Sequence, residues 1–176
     1  MGDGQVALNS EKIGVGKTKH EFTCPSTCTS SSFDVDEVTV ISEAHHMHAT
    51  GKRSVTELFR GDKIVNTASV DYWDFDQNGA AVVRQKPYKL KKGDNYHTTC
   101  YFESYKNDTK FGEASSEEMC MALIYYYPKQ SSFINCGPHT NQTSCNASYS
   151  SSTLASDSFF DRAMTDTTST SGAPTT

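Results

Sequence analysis

The chain has 176 residues, of which 35% are hydrophobic and 11% aromatic, a composition that suits one globular domain with flexible tails. Its formal net charge of −5 and the lack of a long basic stretch argue against a nucleic-acid partner. No run of about 18 apolar residues occurs, so we expect no membrane span.

Residues 1–20 are polar and contain no apolar segment of the kind that forms the centre of a signal peptide. We interpret them as a leader or linker that precedes the domain. Because other features indicate a protein of the secretory pathway, the absence of a visible signal peptide suggests a mature or truncated chain.

The predicted domain spans residues 21–149, where short β-rich runs alternate with turn residues. The predicted strands are 38–48, 54–60, 63–67, 80–84, 96–102 and 119–127. Arg60-Gly61-Asp62 is expected to close a hairpin, with further turns at Gln77-Asn78-Gly79 and Lys92-Gly93-Asp94. No segment has helical periodicity over three turns. We therefore predict an all-β fold, an antiparallel, jelly-roll-like β-sandwich.

Residues 150–176 form the predicted C-terminal tail. From 165 to 176, eight of twelve residues are Ser or Thr, a composition that cannot bury enough apolar surface to offset the entropy lost on ordering. We predict that this tail is disordered.

Cysteines and glycosylation sequons indicate the compartment. The six cysteines, an even number, predict a disulfide framework, although the sequence alone leaves fifteen pairings open. Three Asn-x-Ser/Thr sequons begin at Asn107, Asn141 and Asn146. Both features predict a glycoprotein that is secreted or lies in the lumen of the secretory pathway.

Ala44-His45-His46-Met47-His48 ends the first predicted strand. Side chains alternate between the two faces of a strand, so His46 and His48 project to one side and His45 to the other. A histidine pair at this spacing is a preformed clamp for a metal ion. On spacing alone, exposed histidines without a ligand are the alternative.

Met119 is the third candidate ligand, in Glu117-Glu118-Met119-Cys120 at the start of the last predicted strand. If Cys120 is bridged to Cys100 on one face of the sheet, Met119 points to the opposite face. A thioether beside two imidazoles favours copper, especially Cu(I), and three ligands leave a position open for a small molecule. The alternative is that Met119 fills a gap in the core.

Three segments, in register, resemble one protein family. They are His46-Met47-His48-Ala49-Thr50-Gly51-Lys52, the stretch from Lys92-Gly93-Asp94 to Cys100, and Glu117-Glu118-Met119-Cys120 through Tyr126-Tyr127-Pro128. They resemble the C-terminal domain of the copper type II, ascorbate-dependent monooxygenases, the family of dopamine β-monooxygenase and peptidylglycine α-hydroxylating monooxygenase. The resemblance extends from about Phe22 to His139 and covers the predicted sandwich.

The resemblance implies that His46, His48 and Met119 hold a copper at which dioxygen binds and a C–H bond of a small-molecule substrate is hydroxylated, with ascorbate as the electron donor. It also implies a disulfide within the sandwich. In the dopamine β-monooxygenase branch a Cys-x3-Cys pair precedes the domain. The two corresponding cysteines of this chain are assigned, by their positions, as partners of the last two cysteines. The implied bridges are Cys100–Cys120, Cys24–Cys136 and Cys28–Cys145.

Two departures from the family pattern bear on function. Family enzymes carry a second, N-terminal β-sandwich with its own three-histidine copper, and no such histidine set occurs here. We therefore expect this chain to bind copper and to need that domain as a partner for efficient turnover. In the peptide-amidating branch an arginine, an asparagine and a tyrosine clamp the substrate carboxylate, and here the same positions hold Ala44, Met121 and Leu123. A peptidylglycine substrate is not expected.

The sequence thus predicts a copper-dependent monooxygenase domain, the oxygen-binding half of an enzyme. The alternatives are a secreted, non-catalytic copper-binding or interaction domain and a purely structural sandwich. The aromatic stretch around Trp73 is predicted to be core. His97 is interpreted as a structural or surface histidine, and His20 and His139 as loop residues.

Overall fold

A computed structural model describes residues 11–76, 82–83, 86–106, 109–131, 135–137 and 143–154. Its elements, in chain order, are nine strands, a short helix after the first strand and a 3-10 turn before the last. Their bounds are β1 (Gly16–Cys24), α1 (Ser26–Ser32), β2 (Glu37–Met47), β3 (Gly51–Arg60), β4 (Lys63–Val70), β5 (Val82–Val83), β6 (Tyr88–Lys91), β7 (Asn95–Ser104), β8 (Cys120–Tyr127), the turn Thr143–Cys145, and β9 (Ser148–Thr153).

The strands form two antiparallel sheets that pack as a sandwich, which confirms the predicted all-β class. The larger sheet has the order β4-β3-β7-β1-β9. In the smaller sheet, β5 and β6 pair with one edge of β2, and β8 pairs with the other. The hairpin expected at Gly61 joins β3 to β4, with Arg60 opposite Lys63, and Gly61 has a positive φ of 59° that suits a glycine.

Two apolar clusters fill the space between the sheets. One contains Val38, Val40, Leu58 and Leu90, and it surrounds two disulfides. The other contains Met47, Phe22, Phe102 and Phe111 around the third disulfide. Fully burying each large apolar side chain contributes about 1.5–3 kcal/mol, so the second cluster anchors firmly the end of β2 that carries the histidines.

Three disulfides join Cys24 to Cys136, Cys28 to Cys145 and Cys100 to Cys120. These are the pairs that the family resemblance implies. The Cys100–Cys120 bridge links β7 to β8 and therefore ties the two sheets together directly below the segment that contains Met119.

The first strand begins before residue 21, the predicted start of the domain. β1 begins at Gly16, inside the segment interpreted as a leader, and lies between β7 and β9. Along it Thr18, His20 and Phe22 are buried while Lys17 and Lys19 are more exposed. The alternation is that of a strand, but two of the buried residues are polar, so the sequence pattern concealed it.

The last strand continues past residue 149, the predicted end of the domain, because β9 extends to Thr153 and pairs with β1. β9 is a mostly exposed edge strand of serines, threonine and a tyrosine, so it lacks an apolar face that a sequence pattern could reveal. The remainder of the predicted tail lies outside the described residues.

The strand β6 was not predicted either, because its lysines resemble a solvated turn; its Leu90 is nevertheless fully buried. The turn predicted at Gln77-Asn78-Gly79 and the sequons at Asn107 and Asn141 fall at residues outside the described ranges. No helix among the described residues is long and apolar enough to cross a membrane.

Candidate metal centre

His46, near the end of β2, lies on the face of the smaller sheet that points away from the larger one. His46 is paired with Met121 on β8, and Met47 is paired with Cys120. Met47 and Cys120 are fully buried in the core, whereas His46 and Met121 are only partly buried. His48 follows directly after the strand, and its ring centroid is 5.2 Å from that of His46. The structure therefore brings the two predicted ligands together.

The ring of His48 is oriented by the chain segment that precedes β8. Its Nδ1 lies 2.9 Å from the backbone oxygen of Glu117. A carbonyl oxygen can only accept, so Nδ1 carries the proton and Nε2 keeps its lone pair for a metal ion. A hydrogen bond from the ring nitrogen that does not bind the metal is the usual way in which a protein fixes the tautomer of a ligating histidine.

Met119 is the residue between this segment and β8. It is partly buried and lies next to Cys120, whose side chain points into the core on the opposite face. Because Met47 is opposite Cys120, His48 and Met119 occupy the next position at the end of the same strand pair. Met119 thus lies one residue beyond the last residue pair of β2 and β8, as His48 does on the other strand.

The tight turn after β2 is what lets His48 leave the strand and remain beside it. The N–H of Gly51 donates to the oxygen of His48 over 3.2 Å. A Cβ atom at Gly51 would lie 2.7 Å from Cβ of Met47 and 3.1 Å from Cδ1 of Trp73, so the turn requires glycine for close packing.

Two aromatic rings from the segment after β4 flank the histidines. The Trp73 ring is 6.0 Å from that of His46, edge to face, and its Nε1–H donates to the oxygen of His48 over 3.0 Å. The Phe75 ring is 5.6 Å from that of His48. Trp73 is buried as predicted, yet it also supports the site, and Tyr72 beside it is exposed instead of core.

The donor set fits a copper ion. An imidazole nitrogen lies about 2.0–2.1 Å from a first-row metal, which puts the ring centroids of two ligating histidines about 5 Å apart when the bond angle is roughly tetrahedral. The observed 5.2 Å between His46 and His48 meets this condition. Two imidazoles and a thioether form a set that suits Cu(I) better than the harder divalent ions.

His45 takes no part in this arrangement. It is 2% exposed, and its Nδ1 is 2.7 Å from the hydroxyl of Ser54 inside the sandwich. Burial lowers the pKa of His45 to about 4, so the ring is neutral at physiological pH. The alternation of side chains along β2 accordingly separates His45 from its two neighbours, as predicted.

Two other histidines are structural. His20 was predicted to lie in a loop, which is wrong: it is buried in β1, with Nδ1 2.8 Å from the hydroxyl of Tyr149 and Nε2 3.0 Å from that of Thr18. His97, in β7, is partly buried and bonds to Thr23 in the larger sheet. His139 lies outside the described residues.

Ala44 is opposite Leu123 in the pairing of β2 with β8 and His46 is opposite Met121. Residues directly opposite in an antiparallel pair share a face, so these three apolar side chains lie on the same face as His46. A small molecule at the metal would approach an apolar surface without a positive charge from these positions.

Sequence reasoning missed the contacts made by Trp73 and by Glu118. Glu118 is 1% exposed, and its carboxylate reaches the turn that holds His48. Glu118 belongs to a motif that the sequence singled out, but only the folded chain brings residues 48 and 118 together.

Comparison with known proteins identifies the family of the chain. A sequence profile of the family described as copper type II ascorbate-dependent monooxygenase, C-terminal domain, matches residues 5–157. The chain is 30% identical over 112 residues to the tyramine beta-hydroxylase of Caenorhabditis briggsae, covering 60% of this chain and 18% of that protein. It is 32% identical over 131 residues to MOXD1 homolog 1 of Drosophila melanogaster, covering 72% of this chain and 19% of that protein.

A third relative is the dopamine beta-hydroxylase of Canis lupus familiaris, 29% identical over 109 residues, or 60% of this chain and 17% of that protein. The matched region thus spans less than a fifth of the length of each of these relatives. The family name carries both copper and ascorbate. Because the profile covers most of the sequence, the chain belongs to the copper type II ascorbate-dependent monooxygenase family and corresponds to its C-terminal domain.

Proposed function

We propose that this chain is the copper-binding catalytic domain of a monooxygenase and that His46, His48 and Met119 hold one copper ion. The observation that carries the proposal is the pair of imidazoles with centroids 5.2 Å apart, one of which is held by a hydrogen bond from Nδ1 of His48 to the backbone oxygen of Glu117. Two rings at this separation are close enough to bind the same metal ion.

The bound copper supplies dioxygen activation and hydroxylation of a substrate C–H bond. The residues of the chain hold the site in shape. Glu117 keeps the His48 ring in one tautomer, and Trp73 and Phe75 restrict the rotation of both histidine rings. Met119 provides the soft donor that stabilises the reduced ion.

The substrate class we infer is a small aromatic amine. Tyramine and dopamine appear in the names of two relatives. The face beside the histidines offers Ala44, Met121 and Leu123, which pack against a ring and lack the charge that would bind a carboxylate. We also propose that a separate N-terminal copper domain delivers the electrons that ascorbate donates.

We further propose that the domain spans residues 16–154, works in the secretory pathway or outside the cell, and is glycosylated. Three disulfides support an oxidising compartment. Asn146 begins a sequon and is exposed just before β9, so an oligosaccharide there would extend into solvent.

Copper titration tests the metal site. We expect the protein to bind one Cu(I), and His46→Ala and His48→Ala each to lower the affinity by at least about tenfold. His97→Gln is the matched control, because it removes a partly buried histidine of the larger sheet, and it should bind like the unaltered protein. Binding far below one equivalent, or equal losses in the control, would contradict the proposal.

Ligand binding to the copper-loaded protein tests the substrate class. Tyramine should bind, and a peptide with a C-terminal glycine should bind much more weakly, since the site offers no partner for its carboxylate. Preference for the peptide would contradict the amine assignment, and binding of neither would favour a domain that holds copper without catalysis.

A further inference from the structure

Glu118 is an acidic residue buried within the site, and the binding of copper does not explain its burial. Its side chain is 1% exposed, and no lysine, arginine or histidine pairs with it among the described residues. A carboxylate removed from water is costly unless hydrogen-bond donors replace the water. The environment of Glu118 therefore has to supply such donors.

Three donors do so, and all belong to the turn that follows β2. The N–H of His48 donates to Oε2 over 2.9 Å. The N–H and the hydroxyl of Thr50 donate to Oε1 over 2.6 and 2.8 Å. Hydrogen bonds to a charged acceptor are about twice as strong as neutral ones, so the carboxylate holds this turn firmly.

The backbone of Glu118 is fixed as well. Its N–H donates to the oxygen of Lys110 over 2.9 Å, and its oxygen accepts from the N–H of Gly112 over 2.9 Å. Glu118 directly precedes Met119, and 70 residues of chain separate it from His48. One side chain thereby connects the segment that carries the thioether to the turn that carries an imidazole.

We propose that Glu118 is a positioning residue of the metal centre, which holds His48 and Met119 at a fixed separation before the ion arrives. This inference rests on the proposed copper site and deepens it, because it assigns a role to a residue that contacts no metal. The prearranged site binds copper without the entropy loss of bringing two distant segments together.

Glu118→Gln tests the positioning role, since an amide has one acceptor oxygen where the carboxylate has two. In Glu118→Gln the side-chain nitrogen replaces one of these oxygens and faces the backbone N–H of His48 or of Thr50, which loses its acceptor. Partners that orient metal ligands typically contribute about 10–100-fold in metal affinity. We expect Cu(I) affinity to fall by about tenfold or more, and the sulfur contribution to the X-ray absorption spectrum to weaken.

Glu113→Gln is the matched control. It makes the same change of a carboxylate to an amide on the segment that precedes β8, at a residue whose side chain is exposed. Its copper affinity and sulfur signal should match those of the unaltered protein, because the hydrogen bonds of Glu118 to the turn and the backbone oxygen that holds His48 are retained.

Thr50 supplies a second variant in case Glu118→Gln does not fold. Thr50→Val removes one of three donors and should give a smaller loss of copper affinity, and Thr50→Ser should restore it. Amide hydrogen exchange in the metal-free protein gives a readout that copper does not influence. The amides of His48 and Thr50 should be protected, and should exchange faster in Glu118→Gln or Thr50→Val but not in Glu113→Gln.

The outcomes separate the two proposals. Failure of the unaltered protein to bind copper would overturn the proposed function. Unchanged exchange, affinity and sulfur signal in Glu118→Gln, or an equal loss in Glu113→Gln, would overturn the positioning role alone.

Discussion

The buried histidine of β1 makes the stability of the protein dependent on pH. His20 is 1% exposed and is held between Tyr149, Thr18 and the oxygen of Ile13. Burial lowers its pKa from 6.5 to about 4, and the hydrogen bond to Ile13 opposes the change. The unfolded chain therefore binds a proton at His20 between pH 4 and 6.5 that the folded protein does not.

The magnitude follows from the two pKa values. Each factor of ten in proton affinity corresponds to about 1.4 kcal/mol, so the full effect of His20 is about 3 kcal/mol. Because the folded pKa is the lower one, this contribution is present above pH 6.5 and is lost as pH falls towards 4. The free energy of unfolding should therefore rise with pH across this window.

Urea unfolding of the metal-free protein and of His20→Gln, at steps between about pH 3.5 and 7.5, measures the effect. The difference in unfolding free energy between the two proteins isolates His20, because His45 titrates in both and cancels. We expect the difference to change in favour of the unaltered protein by about 3 kcal/mol as pH rises. Curves of unfolding free energy against pH that stay parallel for the two proteins would contradict the lowered pKa of His20.

Two further substitutions test the interior and the turn. Burial raises the pKa of Glu43, although Tyr88 donates to its carboxyl group over 2.6 Å. The folded protein is therefore destabilised as this carboxyl group ionises, and Glu43→Gln should gain stability relative to the unaltered protein as pH rises above about 4.5. Thermal unfolding over a series of pH values measures the difference. Equal stability differences at all pH values would contradict this. Gly51→Ala should destabilise the protein by about 1–3 kcal/mol and weaken copper binding, because the new Cβ atom would lie 2.7 Å from Cβ of Met47. A variant that unfolds and binds copper like the unaltered protein would show that this position tolerates a Cβ atom.

Where burial is apolar, the sequence was sufficient to predict the fold. β2 and β8 combine β-branched or aromatic residues with strand alternation, and the hairpin between β3 and β4 has its glycine at the turn. β1 was missed because it buries Thr18 and His20 through hydrogen bonds instead of through hydrophobicity. β9 was missed because an exposed edge strand needs no apolar face.

The candidate site likewise has one part that the sequence predicts and another that it does not. Strand alternation alone places His46 and His48 together and His45 in the core. The cysteine pairs came from the family resemblance, since spacing left the pairings open, and the argument that Met119 faces the histidines depends on one of these pairs, Cys100–Cys120. The contacts of Trp73 and Glu118 with the His48 turn depend on segments 25 and 70 residues away, and no local pattern encodes such meetings.

X-ray absorption at the copper edge of the reduced, copper-loaded protein identifies the atoms that bind the ion. We expect one copper with imidazole nitrogens and a single sulfur neighbour, and we expect Met119→Ile to remove the sulfur while the imidazole scattering remains. A spectrum of the unaltered protein without a sulfur neighbour, or a sulfur signal that persists in Met119→Ile, would contradict the assignment of His46, His48 and Met119 as the copper ligands.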